Sequence, residues 1–311
     1  MVAHCFGGLR LVSWLAVRFI YQYPDTHGIE CDMLDAGPVT ELARSAEECG
    51  WDGFAFTEHP VPGARWLAAG GHQTLDPFAA LAHVAAVTTG LRLLTYLAVA
   101  PYRNPFLLAK AATTVDRLSN GRFVLGVGTG YLKSEFRALG VEFDERNELF
   151  DETLDALPLH WSGEPFSSRG RHFDARDSIA RPRPAQSPIP VWIGGNSRLT
   201  LRRVAERAQG WMPLTSPVDI SSTTRTPHIT GVDGLARSIG ILRDLAGPRF
   251  TEIEVVPAFN EPWDPNGDAG RAAETFAALA AAGATSIVVA TGPKTYPDTV
   301  RFLETFARAF F

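Results

Sequence analysis

This chain of 311 residues has few cysteines, few closely spaced metal-ligating residues and few long apolar runs. Its three cysteines, Cys5, Cys31 and Cys49, are odd in number, far apart and without a C-x-x-C spacing, which argues against disulfides and zinc. The histidines show no H-x-H or H-x-x-x-H spacing, so we expect no metal site. A hydrolase is not indicated either, because G-x-S-x-G is absent. These absences favour a protein of the reducing cytoplasm.

Uninterrupted apolar segments and excess positive charge are missing as well. No stretch approaches the roughly 18 apolar residues that a membrane-spanning helix requires. A net charge of −5 gives no reason to expect nucleic acid as a partner. Residues 1–16 are mildly apolar but contain Arg10 and no small-residue cleavage site, so we interpret them as a disordered extension or a misassigned start. We expect neither a membrane nor a nucleic-acid role.

Short apolar runs alternate with helical segments from residue 17 onward. The predicted strands are VRFIYQY, GFAFTE, LRLLTYLAV, GRFVLGVG, VWIGG, GWMPL, EIEVVPAF and TSIVVA. The predicted helices cover residues 38–49, 76–88, 104–118, 132–161, 198–208, 235–245, 270–282 and 298–310. Apolar strands separated by helices indicate a parallel sheet covered on both faces. Eight such units over residues 17–311 predict a single (β/α)8 barrel domain, with a doubly wound open sheet as second choice.

The candidate chemistry lies at the carboxyl ends of the predicted strands, where barrel active sites are found. Glu58 and His59 follow the second strand, and histidine beside a carboxylate is typical of proton transfer. Because neighbours on a strand point to opposite faces, only one of the two is expected to face the site. Capping of the next segment is the structural alternative. From position alone, a role of Glu58 and His59 in catalysis or cofactor contact is as open as a role in capping.

Two glycine-containing stretches also follow strands. GVGTGYLKSEF resembles a dinucleotide fingerprint, but Tyr131 occupies the place of its third glycine, so a Rossmann site is not expected. Glu135 follows it and could equally stabilise a helix N-terminus. In VWIGGNSRLT, glycines before a helix start with Arg198 nearby offer N–H groups and a cation to a phosphate. Plain N-capping by Asn196 or Ser197 explains the same residues equally well.

Four longer stretches carry a family resemblance: GWDGFAFTEH, LRLLTYLAVAPYRNPFLLAKAATTVDRLSNGRFVLGVGTGYLKSEF, LPLHWSGEPF and PIPVWIGGNSRLTLRRVAERAQGWMPL. Together they resemble the luciferase-like monooxygenase superfamily, and most closely its oxidoreductases that use the deazaflavin coenzyme F420. The resemblance is strong over residues 17–214 and weak beyond. It implies a TIM barrel with an insertion in the C-terminal half, a flavin or deazaflavin in the barrel mouth, and a homodimer.

The resemblance also assigns roles to individual positions. It implies that His59 and Glu135 are catalytic. The positions that match the family's cofactor site are Glu58, Thr95, Tyr96, Leu97, Gly128, Thr129, Gly130, Gly194, Gly195 and Asn196. Within this set, Tyr96-Leu97 matches a frequent non-proline cis peptide bond, and residues 194–196 would hold the cofactor's phosphate. Glu58 and Tyr96 depart from the Asp and Gly that many members have.

The implied reaction is hydride transfer between coenzyme F420 and an unidentified small organic substrate, with His59 or Glu135 handling the proton. A monooxygenase that uses FMN and oxygen is the alternative enzyme. A flavin-binding protein without catalysis is the alternative of another class. The loop VPGARWLAAGGHQTL, which lies at the predicted barrel mouth, is expected to form a lid.

Overall fold

A computed structural model describes residues 17–25, 30–215, 223–261, 263, 269–290 and 295–311. Residues 1–16, interpreted above as an extension or a misassigned start, lie outside this range. Each predicted strand has a counterpart, and the third and seventh are each divided in two. The described strands are β1 (Arg18–Gln22), β2 (Gly53–Phe56), β3 (Arg92–Thr95), β4 (Ala98–Val99), β5 (Phe123–Gly128), β6 (Phe166–Gly170), β7 (Phe173–Ser178), β8 (Val191–Gly194), β9 (Gly210–Met212), β10 (Glu254–Val255), β11 (Ala258–Phe259) and β12 (Ser286–Val289).

The helices largely follow the predicted pattern. Asp76 caps the second of the predicted helices by accepting the Ala79 N–H at 2.8 Å. One prediction is wrong: residues 132–161 form two helices, because Gly140, at φ +71°, ends the first of them. The described α-helices are α1 (Val39–Glu48), α2 (Ala64–Ala68), α3 (Pro77–Val87), α4 (Pro105–Leu118), α5 (Lys133–Ala138), α6 (Arg146–Ser162), α7 (Arg198–Arg207), α8 (Gly231–Ala246), α9 (Ala269–Ala282) and α10 (Tyr296–Phe310).

The main sheet is parallel and curled, with the order β10-β9-β8-β5-β3-β2-β1-β12-β11 and β4 paired beside β5. Its outermost members, β10 and β11, are separated only by Val256 and Pro257. The Val256 N–H donates to Trp211 of β9 at 2.8 Å, and the Val288 N–H of β12 donates to Pro257 at 3.0 Å. The segment from β10 to β11 therefore forms hydrogen bonds at both ends of the curled sheet. The predicted parallel α/β fold is confirmed, and the exact (β/α)8 count stays a prediction.

Buried side chains fill both faces of the curled sheet. A larger cluster, which includes Phe54, Leu125 and Val204, lies between the strands and the helices. A smaller cluster lies inside the curl and takes side chains from around its whole circumference. Its members are Ile20, Ala55, Leu94, Val124, Trp192, Met212, Val256 and Val288. The apolar strands are thus buried on both faces, as their continuous hydrophobicity predicts.

A β-hairpin formed by β6 and β7 lies between α6 and β8 and was not predicted. Its strands alternate half-buried with exposed residues, and their polar sequences FSSRG and FDARDS carry a weak strand signal. Phe166 and Phe173 anchor it on Phe106 of α4, with ring centroids 5.5 and 5.0 Å apart. The predicted insertion in the C-terminal half stays a prediction, and residues 216–222 of the β9–β10 connection lie outside the described range.

Candidate active site

A cavity of about 530 Å³ opens at the carboxyl ends of the strands. Glu135, Thr95 and Asn196 are buried and lie behind its wall. The other residues that the family resemblance assigns to the site form part of the wall itself. These are Glu58, His59, Tyr96, Leu97, Gly128, Thr129, Gly130, Gly194 and Gly195. The structure therefore brings the strand-end residues together around one cavity.

His59 follows β2 and lines this cavity. Its Nδ1 lies 3.1 Å from Oε2 of Glu135, which is on α5. Its Nε2 lies 3.4 Å from the hydroxyl oxygen of Tyr131. Thr74 fixes the backbone of His59, because its hydroxyl accepts the His59 N–H at 2.8 Å and donates to the carbonyl oxygen at 3.2 Å. Both ring nitrogens of His59 therefore face protein groups that can hold or pass a proton.

Glu135 is fully buried behind His59. Its Oε2 also accepts the Tyr102 hydroxyl at 2.7 Å, and its Oε1 accepts the Val61 N–H at 3.3 Å. Burial raises the pKa of Tyr102 well above its usual value, and the hydrogen bond to Glu135 raises it further. Tyr102 is therefore a neutral donor to the carboxylate. These contacts compensate a buried charge that would otherwise be costly.

Glu58 is turned away from His59 and holds neighbouring backbone. Its carboxylate accepts the Val99 N–H at 2.6 Å and forms an ion pair with Arg103. Burial raises the pKa of Glu58, while Arg103 and the Val99 N–H oppose that rise. The prediction that only one member of the pair faces the site squarely stays a prediction, because both residues line the cavity. A cofactor contact by Glu58 stays a prediction.

The Tyr96–Leu97 peptide bond is cis, as the resemblance implies for this position. The Leu97 side chain lines the cavity and lies against Gly128 and Gly194, where an added Cβ would collide with it. A cofactor contact by Thr95 stays a prediction. Its side chain is fully buried and its hydroxyl donates to the Gly126 carbonyl oxygen at 2.7 Å, so it supports the wall from behind.

The predicted phosphate contact of residues 194–196 stays a prediction, and two of the N–H groups there already have partners within the protein. The Gly195 N–H donates to Met212 at 3.2 Å, and the Asn196 N–H donates to Thr226 Oγ1 at 2.8 Å. The Asn196 amide bonds to Leu214 and to the loop after it, so it braces the wall. The first peptide N–H groups of a helix lack intrahelical acceptors. The donors at the start of α7 are therefore those of residues 197–199.

Arginine side chains line the end of the cavity that lies near the start of α7. Arg203 is neutralised by Asp151 at 2.7 Å. Arg146 and Arg225 lie over the ring of Phe143, at 4.0 and 5.3 Å from its centroid. No described carboxylate lies within ion-pair distance of Arg146 or Arg225.

Burial lowers the pKa of Arg146, and the neighbouring charge of Arg225 lowers it further, while Asp144 opposes that fall. Two adjacent cations that form no ion pair with the described carboxylates, beside a helix N-terminus, are suited to an anion. Arg198, the cation suggested by the sequence, is exposed and does not line the cavity.

Comparison with known proteins decides the family. The family model described as luciferase-like monooxygenase matches residues 19–227. The chain belongs to the luciferase-like monooxygenase family. The oxidoreductase and monooxygenase activities of this family agree with a strand-end cavity lined by a histidine.

Similar members of the luciferase-like family differ in coenzyme. The chain is 28% identical over 230 residues to an F420-dependent glucose-6-phosphate dehydrogenase of Kineococcus radiotolerans, covering 70% of this chain and 66% of that protein. It is 30% identical over 206 residues to an FMNH2-dependent dimethylsulfone monooxygenase of Pseudomonas putida, covering 63% and 55%. The crystal structure of the monooxygenase RslO1 from Streptomyces bottropensis superposes with a TM-score of 0.74 at 20% identity, covering 94% and 98%. The last comparison supports the fold alone.

Several cavity residues in this luciferase-like chain were missed from sequence. Arg146 and Arg225 lie far along the sequence from any predicted strand end. Their shared contact with Phe143 arises only in the folded chain. Tyr131 was noted only as a departure from a glycine motif, although it directly follows a strand-end glycine. The predicted lid loop contributes Trp66, whose ring centroid lies 4.5 Å from that of His59.

The described residues also limit other kinds of site. Nowhere in them do three or more histidine, cysteine or acidic side chains gather as metal ligands would. Their helices include none with the length and hydrophobicity needed to cross a bilayer.

Proposed function

We propose that this protein transfers a hydride between coenzyme F420 and a small organic substrate. The observation that carries the proposal is the pair formed by His59 at the cavity wall and fully buried Glu135, 3.1 Å apart. Histidine takes up and releases protons near neutral pH, and a carboxylate behind it orients the ring and stabilises its protonated form. Such a pair suits a substrate that exchanges a proton as well as a hydride.

The cavity wall fits a flat ring with a phosphorylated tail. The cis Tyr96–Leu97 segment gives an apolar surface, and residues 128–130 continue it without bulky side chains. At the other end, the start of α7 with Arg146 and Arg225 would hold the phosphate. When bound, the deazaflavin supplies the hydride acceptor or donor.

The chain's own residues position the reactants and handle the proton. His59 would accept or return the proton at Nε2, while Glu135 keeps Nδ1 protonated through its 3.1 Å contact. Trp66 lies on the ring of His59 and would limit the access of water from the lid side. Excluding water strengthens the interaction between the imidazolium and the carboxylate.

An FMN-dependent monooxygenase is the second candidate. FMN also carries a phosphate, which the same arginines and helix start could hold. The sequence similarity to an FMNH2-dependent monooxygenase specifically favours it. Use of oxygen would then replace hydride exchange with an organic substrate.

Coenzyme titration tests the proposal. Quenching of the protein's tryptophan fluorescence is expected to give a Kd for reduced F420 below about 100 μM, equivalent to roughly 5.5 kcal/mol, with weaker binding of FMN. His59→Gln is expected to retain F420 binding and to lower the rate of hydride transfer by about 10²–10⁴-fold. His83→Gln is the matched control, because His83 is an exposed residue of α3 outside the cavity.

Other outcomes would redirect the assignment. Tight FMN binding with oxygen uptake by the reduced protein, and no F420 binding, would establish the second candidate. Binding of either coenzyme with equal turnover in His59→Gln and the wild type would remove His59 from catalysis. Binding without any turnover in the wild type would favour a flavin-binding protein.

A further inference from the structure

Tyr131 places a hydroxyl group beside His59 at the cavity wall. Gly130, at φ +77°, turns the chain after β5. The residue that follows Tyr131, Leu132, is buried and anchors the chain there. Between them the Tyr131 ring meets the His59 ring edge-on, with centroids 5.8 Å apart. Its hydroxyl lies 3.4 Å from His59 Nε2, and its side chain lines the cavity. One side chain thus contacts both the histidine and the space for a ligand.

The hydrogen bonds around His59 indicate which group donates. The Glu135 oxygen that faces Nδ1 already accepts the Tyr102 hydroxyl at 2.7 Å, so we assign the His59 ring proton to Nδ1, where it is donated to that oxygen. Nε2 is then an acceptor. The Tyr131 hydroxyl is the donor that faces it, which gives an ordered path from Tyr131 through His59 to Glu135.

His72 and Trp66, the other side chains discussed around His59, do not take the place opposite Nε2. His72 also lines the cavity, but its Nδ1 lies 3.6 Å from Asp25 Oδ2 and its ring meets His59 edge-on. The Trp66 ring lies beside the imidazole ring, with centroids 4.5 Å apart and an interplanar angle of 43°. Among the described residues, Tyr131 supplies a hydroxyl group that meets Nε2.

We propose that Tyr131 is a catalytic residue that carries the proton between His59 and the oxygen of an alcohol or carbonyl substrate, a role that rests on the hydride transfer proposed above. In oxidation, the substrate C–H bond breaks and its electron pair leaves as hydride to an oxidised deazaflavin. The substrate O–H proton passes to the Tyr131 oxygen as the tyrosine's own proton passes to His59 Nε2. The alcohol becomes a carbonyl, Tyr131 is regenerated, and His59 ends as an imidazolium against Glu135. Reduction runs through the same steps in reverse.

The electrostatics of Tyr131 agree with a relay in which no phenolate accumulates. Burial raises the pKa of Tyr131 above its usual value, and the nearby charges of Glu135 and Asp25 raise it further. The phenol therefore releases its proton only as another arrives. A concerted exchange with His59 satisfies this condition.

Imidazole NMR of the protein without coenzyme tests the contact directly. With ¹⁵N-labelled histidine, and the His59 signals assigned by their loss in His59→Gln, we expect Nδ1 to be protonated and Nε2 to be a hydrogen-bonded acceptor. Tyr131→Phe, which keeps the ring, is expected to move the Nε2 resonance downfield. Tyr296→Phe, a change at an exposed tyrosine of α10, is expected to leave it unchanged. An unchanged Nε2 resonance in Tyr131→Phe would overturn the relay.

Single-turnover kinetics test the catalytic step. Across a panel of primary and secondary alcohols with F420-loaded protein, Tyr131→Phe is expected to lower the rate of coenzyme reduction about 100-fold, with the Kd for F420 unchanged. An equal rate in wild type and variant would contradict the proposal. A wild type that binds F420 but reacts with no alcohol would overturn the assigned substrate class. Absence of F420 binding would instead refute the proposed function, while the NMR measurement would still test the contact between Tyr131 and His59 independently.

Discussion

Arginines at the two ends of the curled sheet use their guanidinium groups in opposite ways. At the amino end of the strands, Arg122 donates to four backbone carbonyl groups and one hydroxyl, at 2.8–3.2 Å. At the carboxyl end, Arg146 and Arg225 face the cavity and share the ring of Phe143. Arg122 is committed to backbone carbonyl groups and a hydroxyl, whereas Arg146 donates to the Phe143 carbonyl oxygen at 3.0 Å and still lines the cavity together with Arg225.

The difference separates a structural arginine from two arginines that we propose to bind a ligand. Arg122 joins loops between neighbouring strands and helices, so its loss leaves carbonyl groups without donors. We expect Arg146 and Arg225 to lower the cost of bringing an anion into the cavity, because an anion would offset the repulsion between their charges. We therefore expect substitutions at the two ends to affect different measurements.

Arg122→Met is expected to produce the largest effect on stability. Removing the donors of several partly buried carbonyl groups should lower the free energy of unfolding by about 3 kcal/mol. Urea denaturation of the variant and of Arg117→Met, a change at an exposed arginine of α4, measures the difference. A loss equal to that of the control would show that water replaces the guanidinium.

Arg225→Gln and Arg146→Gln are expected to weaken coenzyme binding and leave stability nearly unchanged. Each loses one cation facing the phosphate end of the cavity, so the Kd should rise about tenfold, or about 1.4 kcal/mol. Fluorescence titration at low and high salt checks this, with Arg198→Gln as the control outside the cavity. Equal affinities in all three variants would place the phosphate elsewhere.

Glu47→Ala adds a second substitution at the amino end of the strands. We expect it to have the smallest effect on the free energy of unfolding. Partial burial alone would raise the pKa of Glu47, but the N–H groups of Gly90, Thr89 and Leu91 outweigh it and lower that pKa. Because Glu47 is largely solvated, its loss should cost only about 0.5–1 kcal/mol at pH 7.

The pH dependence of this effect has a definite sign. A carboxylate with a lowered pKa in the folded protein stabilises it fully above the unfolded value of 4.5, and that stabilisation is lost as pH falls through the folded value. Urea denaturation of Glu47→Ala and of Glu48→Ala between pH 7 and pH 3 measures it. A difference between the variants that persists at pH 3 would contradict the electrostatic explanation.

Local sequence patterns were sufficient for most of the fold. Apolar runs such as GFAF fix the strands, and Asp76 before a proline marks a helix start, because each signal lies within a few residues. The β6–β7 hairpin escaped prediction because its stability comes from contacts of Phe166 and Phe173 with distant Phe106. Strand detection from hydrophobic alternation does not register such long-range anchors.

The candidate site was predictable in position more than in detail. Placement at strand ends located His59, and the family resemblance added Glu135, which lies 3.1 Å from it across 76 positions of sequence. Sequence could not show that the Asn196 amide bonds to neighbouring loops, or that Arg225 reaches the cavity. Those facts depend on how loops converge in space.

The contact of Leu97 with Gly128 and Gly194 links three positions that are distant in sequence. A methyl group at either glycine would push the leucine side chain toward the cavity that it lines. Related proteins with alanine at one of these positions should therefore carry a smaller residue at position 97. The space at this part of the cavity wall is in this way set jointly by three residues.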